Sequence, residues 1–283
     1  FRMKQQIKWH NGTLDLSQPL VMGIVNVTPD SFYDGGGYNN EKQILERVSR
    51  MISEGAELID IGAVSTRPGA PDVSEAEEWQ RLEPVLKRLS NRFPELCISV
   101  DTWRSSIARK AVDAGAAIVN DISGGGFDDR MFESISRMNV PFIMMHIQGT
   151  PQTMQINPNY TDVVKEVFTY FQQRLEKLFA KGMTAGVILD PGFGFGKNTD
   201  HNYQLLAGIE KLKSLGFPVL AGVSRKSMIN RVLGTKPENA LNGTTAVNML
   251  ALLHGADILR VHDVKEAVQT VKIFQQYRKS CFF

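Results

Sequence analysis

Short apolar runs recur along this chain, and each is followed by a longer stretch whose apolar positions repeat near helical spacing. A buried parallel strand reads as a continuous apolar run, and an amphipathic helix as apolar residues at three- and four-residue intervals. The runs predict strands at Val21 to Asn26, Leu58 to Gly62, Cys97 to Asp101, Ile118 to Ile122, Phe142 to His146, Gly186 to Asp190, Val219 to Ser224 and Ile258 to His262. The intervening stretches predict helices at Glu41 to Glu54, Ser74 to Arg92, Ser105 to Ala114, Asp129 to Met138, Thr161 to Lys181, His201 to Leu215, Asn242 to His254 and Val264 to Arg278, with a short helix at Ser227 to Leu233. Ser74 with Glu77 three residues on has the form of a capping box. Ahead of this series, Ile7-Lys8-Trp9 and Thr13-Leu14-Asp15-Leu16 flank Asn11-Gly12 and predict a β-hairpin, read as a plug over one end of the fold.

Alternating strands and helices imply a parallel sheet, and eight units in roughly 250 residues match a (β/α)8 TIM barrel. No composition break divides the chain, so residues 1–283 are expected to form one barrel domain, with 1–20 as the hairpin extension. A doubly wound open sheet is the competing architecture. It would need a nucleotide fingerprint after its first strand, and Gly35-Gly36-Gly37 has the wrong spacing.

The chemistry sits where the strands end. Asn26, Asp101, Asn120 with Asp121, His146, Asp190, Ser224 with Lys226, and Arg260 with His262 each close an apolar run; Ser65, Thr66 and Arg67 follow the second strand. In a barrel these positions meet at one mouth. Asp101, Asn120 and Asp190 suit a flat heterocycle carrying N–H donors and a carbonyl. Lys226, Arg260 and His262 follow the last two strands, where barrels commonly hold phosphate. The expected ligand is therefore a polar ring joined to a phosphate or diphosphate. Two long loops, Thr28 to Asn40 and Gly62 to Val73, have the composition of lids or binding loops.

Composition narrows the alternatives. With 283 residues and 42% hydrophobic content the chain can bury a large core. A net charge of +2 argues against nucleic acid or a membrane surface as partner. Two cysteines with no Cys-x-x-Cys pairing fit a reducing, cytoplasmic setting. No run approaches the roughly 20 apolar residues of a membrane span. Pro191 to Lys197 fails as a P-loop, and the five histidines lack zinc-ligand spacing.

Taken together, the chain resembles the dihydropteroate synthases. The resemblance rests on Met-Gly-Ile-Val-Asn-Val-Thr-Pro-Asp-Ser-Phe-Tyr-Asp-Gly-Gly (22–36), Ser-Thr-Arg-Pro-Gly (65–69), Ser-Val-Asp-Thr (99–102), Val-Asn-Asp-Ile (119–122), Leu-Asp-Pro-Gly-Phe-Gly-Phe-Gly-Lys (189–197), Ser-Arg-Lys-Ser (224–227) and Arg-Val-His-Asp-Val (260–264). One departure is Ala63-Val64, where many members have Gly-Glu. The resemblance implies condensation of 4-aminobenzoate with a dihydropterin methyl diphosphate. It implies that Asp101, Asn120, Asp190 and Lys226 hold the pterin, and that Asn26, Arg260 and His262 hold the diphosphate. Asn26 would also ligate Mg2+. Thr66, Arg67, Pro68 and Ser227 would border the aminobenzoate beneath a lid carrying Asp30, Phe32 and Asp34. Asp101, Asp190, Lys226 and Arg260 are the implied catalytic set, and a homodimer the implied assembly. A corrinoid-dependent methyltransferase barrel and a pterin-binding module without turnover remain as alternatives.

Overall fold

The computed structural model describes residues 6–27, 37–65 and 71–281, apart from the side chains of 37–40. Asp30, Phe32 and Asp34 of the expected lid, and Thr66, Arg67 and Pro68, lie outside the described residues.

A small antiparallel hairpin comes first, β1 (Gln6–Trp9) with β2 (Gly12–Asp15), in the register Ile7 to Leu14. Eight parallel strands follow in the described chain: β3 (Leu20–Asn26), β4 (Leu58–Gly62), β5 (Cys97–Asp101), β6 (Ile118–Asp121), β7 (Phe142–Met145), β8 (Val187–Asp190), β9 (Leu220–Ala221) and β10 (Ile258–Val261). Their spatial order is β8-β7-β6-β5-β4-β3-β10-β9, and a single bridge from Leu189 to Val219 joins the two ends into a closed barrel. The helices are α1 (Gly37–Glu54), α2 (Glu75–Arg92), α3 (Ser105–Asp113), α4 (Met131–Met138), α5 (Val163–Ala180), α6 (Thr199–Ala207), α7 (Ile209–Lys213), α8 (Ser227–Leu233), α9 (Leu241–Leu253) and α10 (Val264–Cys281).

Local sequence accounts for several element ends. Ser74 caps α2 by accepting from the Glu77 amide, while Asp162 caps α5 and Asn198 caps α6 in the same way. The stretch expected as one helix from His201 to Leu215 is broken at Gly208. This residue's amide ends α6 on Gln204 and Leu205, and a side chain there would strike Val164 at 2.7 Å. The seventh barrel strand is two residues long instead of the six expected. From Val223 the chain leaves the sheet for a turn in which Arg225 has φ +57°, and the Lys226 amide bonds back to Val223.

Two apolar layers share the work of burial. The larger packs the outer faces of the strands against the helices, through residues such as Val25, Ile61, Leu82, Phe142, Phe171 and Val261. The smaller fills the barrel interior at its N-terminal end, where Ile7 and Leu14 of the hairpin sit among Leu20, Met22, Leu58, Cys97, Ile118, Ile143, Ile188, Leu220 and Ile258. The hairpin closes that end, as its sequence suggests. The opposite end is left for polar side chains.

Candidate active site

Strand register brings the site together. Asn26 pairs with Gly62, Gly62 with Asp101, and Asp101 with Asn120, so four strands contribute one row at the C-terminal end of the barrel. Residues in register on adjacent strands share a face. Gly62 has no side chain, and a Cβ there would press on Asp101 Cβ at 3.3 Å.

One guanidinium crosses the interior to this row. Arg260 Nε donates to Asp60 Oδ2 at 2.7 Å, and its Nη2 reaches Asp60 Oδ2 at 2.6 Å and Asp101 Oδ2 at 3.1 Å. Asn120 Nδ2 donates to the same Asp60 oxygen at 3.0 Å. Four elements, β4, β5, β6 and β10, are thus tied by hydrogen bonds between their side chains. A buried carboxylate is costly unless paired, and here the arginine supplies the compensation.

Asp190 closes β8 in the same interior. Its Oδ1 accepts from the Gly192 amide at 2.8 Å, which folds the following loop back over the strand end. Gly192 has φ +70°, and a Cβ there would stand 1.9 Å from the His146 carbonyl oxygen, so glycine is required. Lys226 lies across this loop, donating to the Phe193 carbonyl and resting 4.7 Å from the centre of the Phe195 ring. Phe193 is fully buried packing. A second ammonium, Lys197, anchors the loop from beneath. It donates to the Gly192 and Phe195 carbonyls, both at 3.0 Å, and meets His146 Nδ1 at 2.9 Å.

Burial and neighbouring charges retune these groups. Burial, reinforced by Asp60, pushes the Asp101 carboxyl up to about 7, with Arg260 opposing. Burial also raises Asp190, against the pull of Lys226. Burial lowers Lys226 to about 8 and Lys197 to about 7, with Asp190 holding both higher than burial alone would. His262 is pushed down to about 4 by burial and by Arg260. It is therefore a neutral imidazole at pH 7, with Nδ1 3.1 Å from Ser224 Oγ, rather than the cation its place after β10 suggests.

Of the residues expected at the mouth, the described ones divide by what they touch. Asp101, Asn120, Asp190, Lys226 and Arg260 converge, with Asn26 in register beside them and Ser227 exposed at the start of α8. Asp121 is engaged by its own loop. It accepts from the Ser123 hydroxyl and the amides of Ser123 and Gly125 and shapes its own loop. His146 is buried against Lys197 and Tyr170. Two further residues of the site, Asp60 and Lys197, do not stand at strand ends. Asp60 lies inside its strand, and its signal is a carboxylate in phase with Leu58 and Gly62 in an otherwise apolar run. Lys197 closes the glycine-phenylalanine loop, where the sequence offers a cation but no indication of its direction.

The barrel and its mouth have counterparts among known proteins. Residues 22–262 match the model of the family described as pterin binding enzyme. The chain is 44% identical over 264 residues to the dihydropteroate synthase of Escherichia coli (strain K12), covering 93% of each. It is 43% identical over 267 residues to that of Haemophilus influenzae, covering 94% of this chain and 96% of that one. Among solved structures, Yersinia pestis dihydropteroate synthase in a sulfonamide drug complex matches with a TM-score of 0.91 at 44% identity, over 97% of this chain and 99% of that one. Xanthomonas albilineans dihydropteroate synthase with 4-aminobenzoic acid matches with a TM-score of 0.90 at 40% identity, over 97% and 98%.

Proposed function

The chain belongs to the dihydropteroate synthase family of pterin-binding enzymes, and from that premise we propose how its barrel mouth carries out the family's reaction. The enzyme is a transferase of folate biosynthesis. It joins 4-aminobenzoate to the methylene carbon of (7,8-dihydropterin-6-yl)methyl diphosphate. The aniline nitrogen forms a bond to that carbon and loses one proton. The C–O bond breaks with its electron pair passing to the leaving diphosphate.

The observation that carries this reading is the convergence of Asp101, Asn120, Asp190 and Arg260 from four strands, and of Lys226 from the turn after β9, on one interior. The carboxylates and the amide bind the ring edge. Ionised Asp101 and Asp190 favour positive charge growing on the pterin as the C–O bond opens. Lys226 joins them at the pterin, and Arg260 faces the charge that builds on the diphosphate. His262, neutral at pH 7, offers a hydrogen bond rather than a charge. Ser227 at the start of α8, with Thr66, Arg67 and Pro68, borders the aminobenzoate, and the segment holding Asp30, Phe32 and Asp34 covers it.

Mg2+ fits this arrangement in one mode. Among the described residues no group of three or more His, Cys, Asp or Glu side chains is placed to cage a metal. Mg2+ commonly keeps several waters and binds through one or two protein oxygens plus substrate phosphates. Asn26, half-buried at the end of β3, supplies one such oxygen. When bound, the ion neutralises charge on the diphosphate oxygens.

We also read the enzyme as a cytoplasmic homodimer. Among the described residues no helix is long and apolar enough to cross a membrane. Leu250 and Leu253 of α9, with Ile273 and Tyr277 of α10, are exposed apolar side chains on two helices that pack together. The end of α8 adds Val232 and Leu233. Such a surface, about one turn long on each of α9 and α10, suits a second copy of the chain.

The test is turnover. Incubated with the pterin diphosphate, Mg2+ and 4-aminobenzoate, the protein is expected to form dihydropteroate and diphosphate in equal amounts. Binding of the pterin diphosphate with no diphosphate release would instead indicate a non-catalytic pterin-binding module.

A further inference from the structure

Asn120 holds a side chain that can present either a donor or an acceptor, and the structure shows what chooses between them. Its Nδ2 donates to Asp60 Oδ2 at 3.0 Å, while its Oδ1 is buried without a hydrogen-bond partner in the described structure. Asn120 is 3% exposed and Asp60 0%. That one oxygen of Asp60 accepts two hydrogen bonds, from Asn120 Nδ2 and Arg260 Nε, and lies 2.6 Å from Arg260 Nη2 in an ion pair. The Asp60 oxygen that takes these donors serves as an acceptor. The amide must therefore turn its NH2 towards Asp60 and keep its carbonyl for whatever enters the mouth. If it flipped, two acceptors would face each other in a buried site, and the hydrogen bond from Asn120 to Asp60 would be lost.

We propose that Asp60 is a positioning and specificity-determining residue: it locks Asn120 as a hydrogen-bond acceptor and thereby selects a heterocycle that presents a donor at that edge. Asp60 touches no substrate and works through Asn120 and Arg260. The proposal deepens the assignment of this mouth to a pterin and rests on it. A site of buried polar groups rejects a ring with the wrong hydrogen-bond polarity far more strongly than an apolar pocket rejects a change of size. A merely structural Asp60 would affect all ligands alike. An Asp60 that sets polarity affects them by class.

The experiment compares two rings in the wild-type protein and in Asp60→Asn, by calorimetry. One is 6-hydroxymethylpterin, with an amino donor at ring position 2. The other is 6-hydroxymethyllumazine, with a carbonyl acceptor there and an N–H donor at the neighbouring position. Wild type is expected to prefer the pterin. In Asp60→Asn, whose amide can donate to a flipped Asn120, the pterin-to-lumazine affinity ratio is expected to fall at least tenfold. An unchanged ratio, even with both affinities reduced, overturns the role of Asp60. Should Asp60→Asn fail to fold, neutron diffraction from wild-type crystals soaked with 6-hydroxymethylpterin gives the answer directly. A deuterium between Asn120 Nδ2 and Asp60 supports the proposal, and a carbonyl facing Asp60 overturns it. Failure of the underlying assignment looks different: wild type would then bind neither ring and release no diphosphate.

Discussion

Asp101 is the residue whose proton most directly governs the site. Burial and the nearby Asp60 raise its carboxyl from an ordinary 3.8 to about 7. Because the folded value lies above the unfolded one, its contribution to stability is full below about 3.8 and is lost as pH rises through about 7. Ring binding runs the other way, since an acceptor is needed and only the ionised form accepts twice over. Lys226, lowered to about 8, loses its positive charge on the alkaline side. The free enzyme's kcat/KM is therefore expected to rise through about pH 7 and fall through about pH 8, the two limbs belonging to the coupled cluster. Steady-state rates in Asp101→Asn should lack the acid limb, and an unaltered profile would remove Asp101 from this role. Arg260 is predicted to do two jobs. Arg260→Ala should weaken binding of the pterin diphosphate far more than of the hydroxymethyl pterin. It should also cost roughly 3–5 kcal/mol of stability in denaturant unfolding, because Asp60 would stay buried without its cation. A variant as stable as wild type would show that the ion pair is not what compensates Asp60.

At the scale of elements, the barrel separates stability from chemistry by placing them at opposite ends. The hairpin serves only the first. Ile7 is 3% exposed within the interior layer at the N-terminal end. Ile7→Ala should lower unfolding free energy by about 2–5 kcal/mol while leaving KM within twofold, as thermal melts and kinetics can establish together. The loop after β8 serves the second. Gly192→Ala introduces a Cβ 1.9 Å from the His146 carbonyl and should displace the Asp190 turn. A fall in kcat/KM of about a hundredfold or more is expected, roughly the cost of misplacing a reacting group; near-normal rates would mean the loop does not position Asp190. The sequence made the strand–helix alternation plain, because apolar run lengths and capping residues such as Ser74 act locally. It did not reveal the two-residue β9 or the break at Gly208. Both depend on distant contacts: the Arg225 turn that follows β9 is held by Asp263, and Gly208 packs against the Val164 side chain.

The whole molecule joins these ends into one device: a closed floor, a polar interior and a mouth built from every side. Terminal residues of the strands were readable as a set because a barrel points them all one way. Asp60 and Lys197 were not, since a carboxylate within an apolar strand and a lysine in a glycine loop acquire meaning only from Arg260, Asn120 and His146, all far away in sequence. Beyond the single chain, Ile273→Asp and Leu253→Asp should shift the proposed dimer towards monomer in analytical ultracentrifugation, through loss of the exposed apolar residues on α9 and α10. An unshifted dimer would place the interface elsewhere.

The most direct test is a crystal structure of the enzyme soaked with the pterin diphosphate in the absence of 4-aminobenzoate. The ring should lie within hydrogen-bond distance of Asp101, Asn120, Asp190 and Lys226, with its diphosphate reaching Arg260. A ring bound elsewhere, or a diphosphate directed away from Arg260, would contradict the account.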